Sequence, residues 1–268
     1  MAVPPMTVVQ FENGPTKSAS SPRPSRRETL SARERLIVAL DVTTKEEAAK
    51  LVEELGDSVE FYKIGHELIL GGDGIALARD LVAAGKQVFL DAKLLDIGNT
   101  VERSAANIAA LGVTFLTVHG HDSKTMRAAV AGRGESALKL LSVTVMTNLT
   151  QDDLSEQGFE MKSDQLVAHR AKLAAGSGFD GVVTSAREAA LVRQTVGRDF
   201  LIVTPGIRPA GADIGDQARV MTPARAIEAG ATRLVVGRPI TQADVPKAAA
   251  VAIIAEIDAA LAAGVGAA

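Results

Sequence analysis

The sequence predicts an α/β fold, a (β/α)8 (TIM) barrel built as a single domain behind a flexible N-terminal tail. Three observations carry that expectation. Short apolar runs alternate with amphipathic helical patterns, and from residue 35 onward the runs number eight. The runs are continuous rather than alternating in polarity, as in a parallel sheet covered on its faces. Ionisable side chains gather at the C-terminal ends of the runs, which in a barrel converge on one mouth. A doubly wound sheet is the competing architecture; eight repeats over about 230 residues favour the barrel.

In chain order, strands are expected at 35–41 (RLIVALD), 59–65 (VEFYKIG), 87–93 (QVFLDAK) and 114–120 (TFLTVHG). They continue at 138–147 (LKLLSVTVMT), 181–185 (GVVTS), 200–206 (FLIVTPG) and 233–238 (RLVVGR). Amphipathic helices are expected among the intervening segments at 43–56, 74–85 and 101–112, each ending on a glycine suited to a helix C-cap or the turn after it. The Ala-rich pattern at 245–264 closes the ring as a long helix.

Residues 1–33 stand apart, with five prolines, a serine cluster and no apolar periodicity, and are expected to form a tail ahead of a barrel domain at 34–268. They lack the apolar core of a secretory signal. The 268 residues are 47% hydrophobic with a net charge of −3, so neither a membrane span nor a nucleic-acid footprint is expected. Cysteine is absent, which excludes disulfides and thiolate metal sites and suits a cytoplasmic location. Tyr62 is the only tyrosine and tryptophan is absent, which argues against exposed platforms for stacking nucleobases.

The richest segment is VFLDAKLLDIGNT, 88–100. Positions two apart share a face of a strand, so Asp91 and Lys93 should point to the same mouth, with Asp96 following on the loop. Asp41 and Lys63 end the neighbouring strands, making an alternating row in which each charge keeps its neighbour ionised. Such a row is either a catalytic site or an ion network that fixes the barrel rim. Paired carboxylates at Asp91 and Asp96 suit Mg²⁺, but Lys63 and Lys93 would compete with a cation, so no metal is expected.

Phosphate is the expected ligand of the opposite rim. VTPGIR (203–208) and VVGRPIT (235–241) follow the last two strands, where barrels commonly hold a phosphate. Gly206 and Gly237 admit backbone N–H groups, and Arg238 offers a fork of charged donors. Between them, the Gly-rich loop 211–223 carries Gln217 and is placed to fold over a ligand as a lid. Thr147 and Asn148 end the fifth strand and either read the amide edge of a base or cap a loop. His119 faces the mouth, where it either holds the rim or acts on a substrate; His66, His121 and His169 show no ligand spacing.

These motifs together (ALD 39–41, FYKIG 61–65, DAKLLDIGNT 91–100, VTPGIR 203–208, DQARVMTP 216–223 and VVGRPIT 235–241) resemble the orotidine 5′-monophosphate decarboxylase family over about residues 35–250. Two positions depart from a common form of the motif: Leu95 stands where many relatives have His, and Gly98 where many have Pro. The resemblance implies decarboxylation of orotidine 5′-phosphate to uridine 5′-phosphate, the last step of de novo pyrimidine synthesis, with neither cofactor nor metal. On this chain it makes Lys93 the proton donor to C6 and sets Asp91 beside the departing carboxylate. Lys63 completes the network and, with Asp41, contacts the ribose. Asp96, Ile97 and Thr100 would enter the partner's site in a homodimer with shared sites. Thr147 would read the pyrimidine, and Arg208, Gln217, Gly237 and Arg238 would handle the phosphate. The alternative within the same suprafamily is a Mg²⁺-dependent hexulose-phosphate synthase or keto-gulonate-phosphate decarboxylase, which typically carries a metal-binding Glu where Lys63 stands. A non-catalytic nucleotide-phosphate binder is the alternative from another class, and it would have no use for Lys93 between two aspartates.

Overall fold

The computed structural model describes residues 30–209 and 221–264. Eight parallel strands close into a barrel in sequence order. They are β1 (Leu36–Ala39), β2 (Phe61–Ile64), β3 (Gln87–Leu94), β4 (Phe115–His119), β5 (Lys139–Val143), β6 (Gly181–Val183), β7 (Leu201–Thr204) and β8 (Arg233–Val236). Closure comes from the pairing of β1 with β8, Leu36 opposite Leu234 and Val38 opposite Val236. Helices fill every crossover, and Pro246–Ala262 completes the outer ring.

The continuous apolar runs now have a reason. Alternate residues face two different cores. Ile37, Ala39, Phe61, Phe89, Phe115, Leu141, Val203 and Val235 point inward and fill the barrel. Leu36, Val38, Tyr62, Val88, Leu90, Leu116, Leu140, Ile202 and Leu234 point outward under the helices. The interior is closed at the N-terminal end by aromatic packing, with Phe61 and Phe115 centroids 5.0 Å apart. Arg233 lies buried across that floor, its guanidinium 5.1 Å and 5.4 Å from those two rings, donating to the Glu34 carbonyl. Inner positions further along the strands carry the polar groups.

Several boundaries differ from the sequence reading. The fifth strand ends at Val143 rather than 147: the Thr144 N–H makes the last bond of the ladder to β6, donating to the Val183 carbonyl at 3.2 Å, and the chain then leaves the sheet. Thr147 therefore sits in a turn beyond the strand. A short helix, Ala32–Arg35, precedes β1 and spans the tail boundary placed at residue 33; Ser31 and Glu34 form its capping box. Gln217 and most of the proposed lid, residues 211–220, fall outside the described residues, as does the segment 1–29. The two ends of that stretch are tied together, the Arg208 N–H donating to the Met221 carbonyl at 3.0 Å.

Helices Gly98–Ala109 and Ser123–Arg133 pack against each other at Gly132. A Cβ built there would lie 2.0 Å from the Glu102 carbonyl oxygen, so only glycine permits this approach. The contact also sets the helix that begins just after Asp96 and Ile97. Gly132→Ala should force the helices apart at a cost of about 1–3 kcal/mol and lower the melting temperature by several degrees. An unchanged thermal transition would remove Gly132 as the spacer.

Candidate active site

Strand β3 is the longest of the barrel, and its register with β4 breaks at the mouth. Leu90 pairs with Leu116 and Leu94 with Val118, so β3 takes four steps where β4 takes two. Two extra residues form a bulge, and bulges re-aim side chains beside sites. Because the insertion is even in number, alternation survives it, and Asp91 and Lys93 keep the inward parity of Phe89. Lys93 has φ 45°, the one non-glycine residue with positive φ among the described residues. That backbone costs about 1–2 kcal/mol and must be held by its surroundings.

Two neighbouring elements hold it. On one side the Thr117 hydroxyl accepts the Lys93 N–H at 2.9 Å and donates to Asp91 Oδ1 at 2.8 Å. On the other, His66 Nε2 lies 3.0 Å from the Ala92 carbonyl oxygen, to which it donates.

The charges form the expected row. Asp41 Oδ1 lies 2.8 Å from Lys63 Nζ, which lies 3.8 Å from Asp91 Oδ2. The same Asp91 oxygen meets Lys93 Nζ at 2.7 Å. Asp91 is buried, 8% exposed. Burial pushes its carboxyl pKa up, but the Lys63 and Lys93 ammoniums with the Lys93 and Thr117 hydrogen bonds together hold it below the ordinary value. Asp91 is therefore an anion between two cations. Gly65 gives the first pair its clearance, since a Cβ there would lie 3.0 Å from Lys63 Nζ and 3.3 Å from Asp41 Oδ1. Sequence reasoning passed over Gly65, His66 and Thr117 as parts of this assembly; the only hint was a hydroxyl at an inward position of an apolar run.

His119 ends β4 with its ring 4.9 Å from that of His121. Burial, the neighbouring imidazole and the Lys93 ammonium push its pKa down to about 4, so it is neutral near pH 7 and adds no further charge. Gly237 follows β8 beside Asp41, where a Cβ would stand 3.6 Å from Asp41 Oδ2. Arg238 opens the short helix Arg238–Thr241 and is exposed on this rim. Arg208 is buried and donates to the Ile207 carbonyl at 3.0 Å. Thr147 is half-buried in its turn. Asp96 does not join the row: its Oδ1 accepts the Ile97 N–H at 2.6 Å, and among the described residues it makes no ion pair. Asp96, Ile97 and Thr100 all lie exposed beyond β3.

A closed barrel with a buried aspartate between two lysines at its C-terminal mouth has the architecture of a barrel enzyme, whose active site lies at that end. The chain belongs to the orotidine 5′-phosphate decarboxylase / HUMPS family, whose model matches residues 34–253. It is 57% identical over 225 residues to an orotidine 5′-phosphate decarboxylase of Afipia carboxidovorans, covering 84% of this chain and 95% of that protein. It is 56% identical over 236 residues to the enzyme of the same name from Methylobacterium nodulans, covering 87% and 99%. The crystal structure of orotidine 5′-phosphate decarboxylase from Lactobacillus acidophilus superimposes with a TM-score of 0.74 at 41% identity, covering 83% of this chain and 98% of that one. Among the described residues no helix is long and apolar enough to cross a membrane.

Proposed function

We propose that this chain decarboxylates orotidine 5′-phosphate to uridine 5′-phosphate, the closing step of de novo pyrimidine synthesis, with Lys93 protonating C6. The supporting observation is the Lys93 ammonium held 2.7 Å from the buried Asp91 carboxylate, with Lys63 on the other side. Loss of CO2 from C6 leaves an electron pair in the plane of the ring, where the π system cannot delocalise it. Stabilisation must then come from a cation already in place. One ammonium near 4 Å supplies about 4 kcal/mol at an effective dielectric of 20, against on the order of 20 kcal/mol for so slow a reaction. Most of the remainder falls to positioning, for which binding groups remote from C6 are the means.

Those groups are assigned accordingly. Asp41 and Lys63 take the ribose hydroxyls, and Thr147 takes the pyrimidine edge. Arg208, Gln217, Gly237 and Arg238 take the phosphate. Asp96, Ile97 and Thr100 serve the partner subunit's site in a homodimer. In support, Leu95 and Ile97 beside them are 53% and 73% exposed, an apolar surface that calls for a cover.

No metal enters this reading, because both ammoniums already stand around the oxygen of Asp91 that a cation would need. Purified protein should therefore consume orotidine 5′-phosphate at an undiminished rate in EDTA, followed by ultraviolet absorbance. Turnover lost to chelator and restored by Mg²⁺ would replace this reading with the Mg²⁺-dependent one.

A further inference from the structure

We infer that Thr117 is a positioning residue for decarboxylation: its hydroxyl fixes the plane of the Asp91 carboxylate and the backbone of Lys93 at once. Thr117 is the inward residue next after Phe115 on β4, at the level where the apolar interior gives way to the charges, and it is fully buried. A hydroxyl has one proton to donate. Since Oγ1 accepts the Lys93 N–H at 2.9 Å, its own proton is directed to Asp91 Oδ1 at 2.8 Å.

Each half of that contact answers a separate problem. The second torsion of an aspartate is broad, so nothing intrinsic sets the plane of the Asp91 carboxylate. With Oδ1 held by Thr117, Oδ2 is left to face Lys93 Nζ and Lys63 Nζ. The bulge, meanwhile, shifts the register of β3 against β4, and the Lys93 N–H is satisfied by the hydroxyl while its residue holds φ 45°. Both atoms that position the Lys93 ammonium, its own backbone and its counter-ion, thus hang on one oxygen of β4. Thr117 touches neither the reacting carbon nor the proton in flight, and acts through its two neighbours.

The inference rests on the decarboxylase reading, and Thr117→Val tests it because valine keeps the shape and removes both bonds. Its kcat should fall about 10- to 100-fold, as small misplacements of reacting groups do, with KM within about threefold because the remote binding groups are untouched. Asp91 loses a bond to its charged form, so the acid limb of the pH profile should move to higher pH. Thr117→Ser, which keeps the hydroxyl, should stay within about threefold of wild type. Thr117→Ala is read on the same scale if the valine variant does not fold. A folded variant without the hydroxyl but with unaltered kcat and pH profile overturns the inference, as does a serine variant impaired as deeply as the valine one. A ¹³C titration of the Asp91 carboxyl needs no turnover and must move upward in Thr117→Val. It separates the two failures, since wild-type protein inert toward orotidine 5′-phosphate sinks the substrate assignment alone.

Discussion

Lys93→Ala is expected to remove decarboxylation, lowering kcat by at least about 10^4-fold. On the proposed mechanism two functions disappear with one group: the cation facing the developing charge, worth about 10^2–10^3, and the proton donor, worth about 10^2–10^4. Lys63 cannot replace it, because its ammonium stands 3.8 Å from Asp91 and is already paired with Asp41 at 2.8 Å. The barrel should survive the change. Alanine meets the same steric cost as lysine at φ 45°, so the truncation adds no backbone strain. Asp91 keeps Lys63 and the Thr117 hydroxyl, so it is not left as an isolated buried charge, the case that costs several kcal/mol. Its pKa should rise as one ammonium leaves. The check is turnover beside thermal unfolding: a folded variant within tenfold of wild-type kcat removes Lys93 from the chemistry.

How far the site could be read from sequence depends on what each residue's role requires. The strands were legible because residues such as Ile37 and Val38 face different apolar cores, which leaves no polar gap in the run. The shared orientation of Asp91 and Lys93 was legible as well. The bulge between them was not, yet its two extra residues preserve the alternation on which that expectation rested. Thr117 was hidden for a different reason. Thr144, Thr184 and Thr204 are equally buried near strand ends, and only the inward parity that Thr117 shares with Phe115 sets it apart from them. Arg233 simply opens the last strand run, and nothing in the sequence shows that its guanidinium lies against two aromatic rings on the barrel floor. Thr147 was misplaced because the apolar alternation of SVTVMT runs on after the ladder has ended at Val143.

Asp96 follows Lys93 by three positions in sequence, yet the chain carries its carboxylate away from the row. On the proposed reading Asp96 acts on the site of a second chain. Asp96→Ala and Lys93→Ala proteins, each inactive alone, should therefore recover activity when their subunits are exchanged. In a twofold dimer the contacts are reciprocal, so each Asp96 serves the Lys93 of the other subunit. A mixed dimer then holds one site lacking both groups and one site with both intact. Random reassortment makes half of the dimers mixed, which predicts recovery to about a quarter of wild-type activity. In the proposed dimer the exposed Leu95 and Ile97 beside Asp96 would supply the apolar surface for that contact. Asp96→Ala leaves both of them in place and should therefore still elute as a dimer. Exchange can be followed by mass spectrometry of differently labelled chains. Complete exchange without recovered turnover would mean that Asp96 does not act across the interface, and that each row of charges works with its own chain alone.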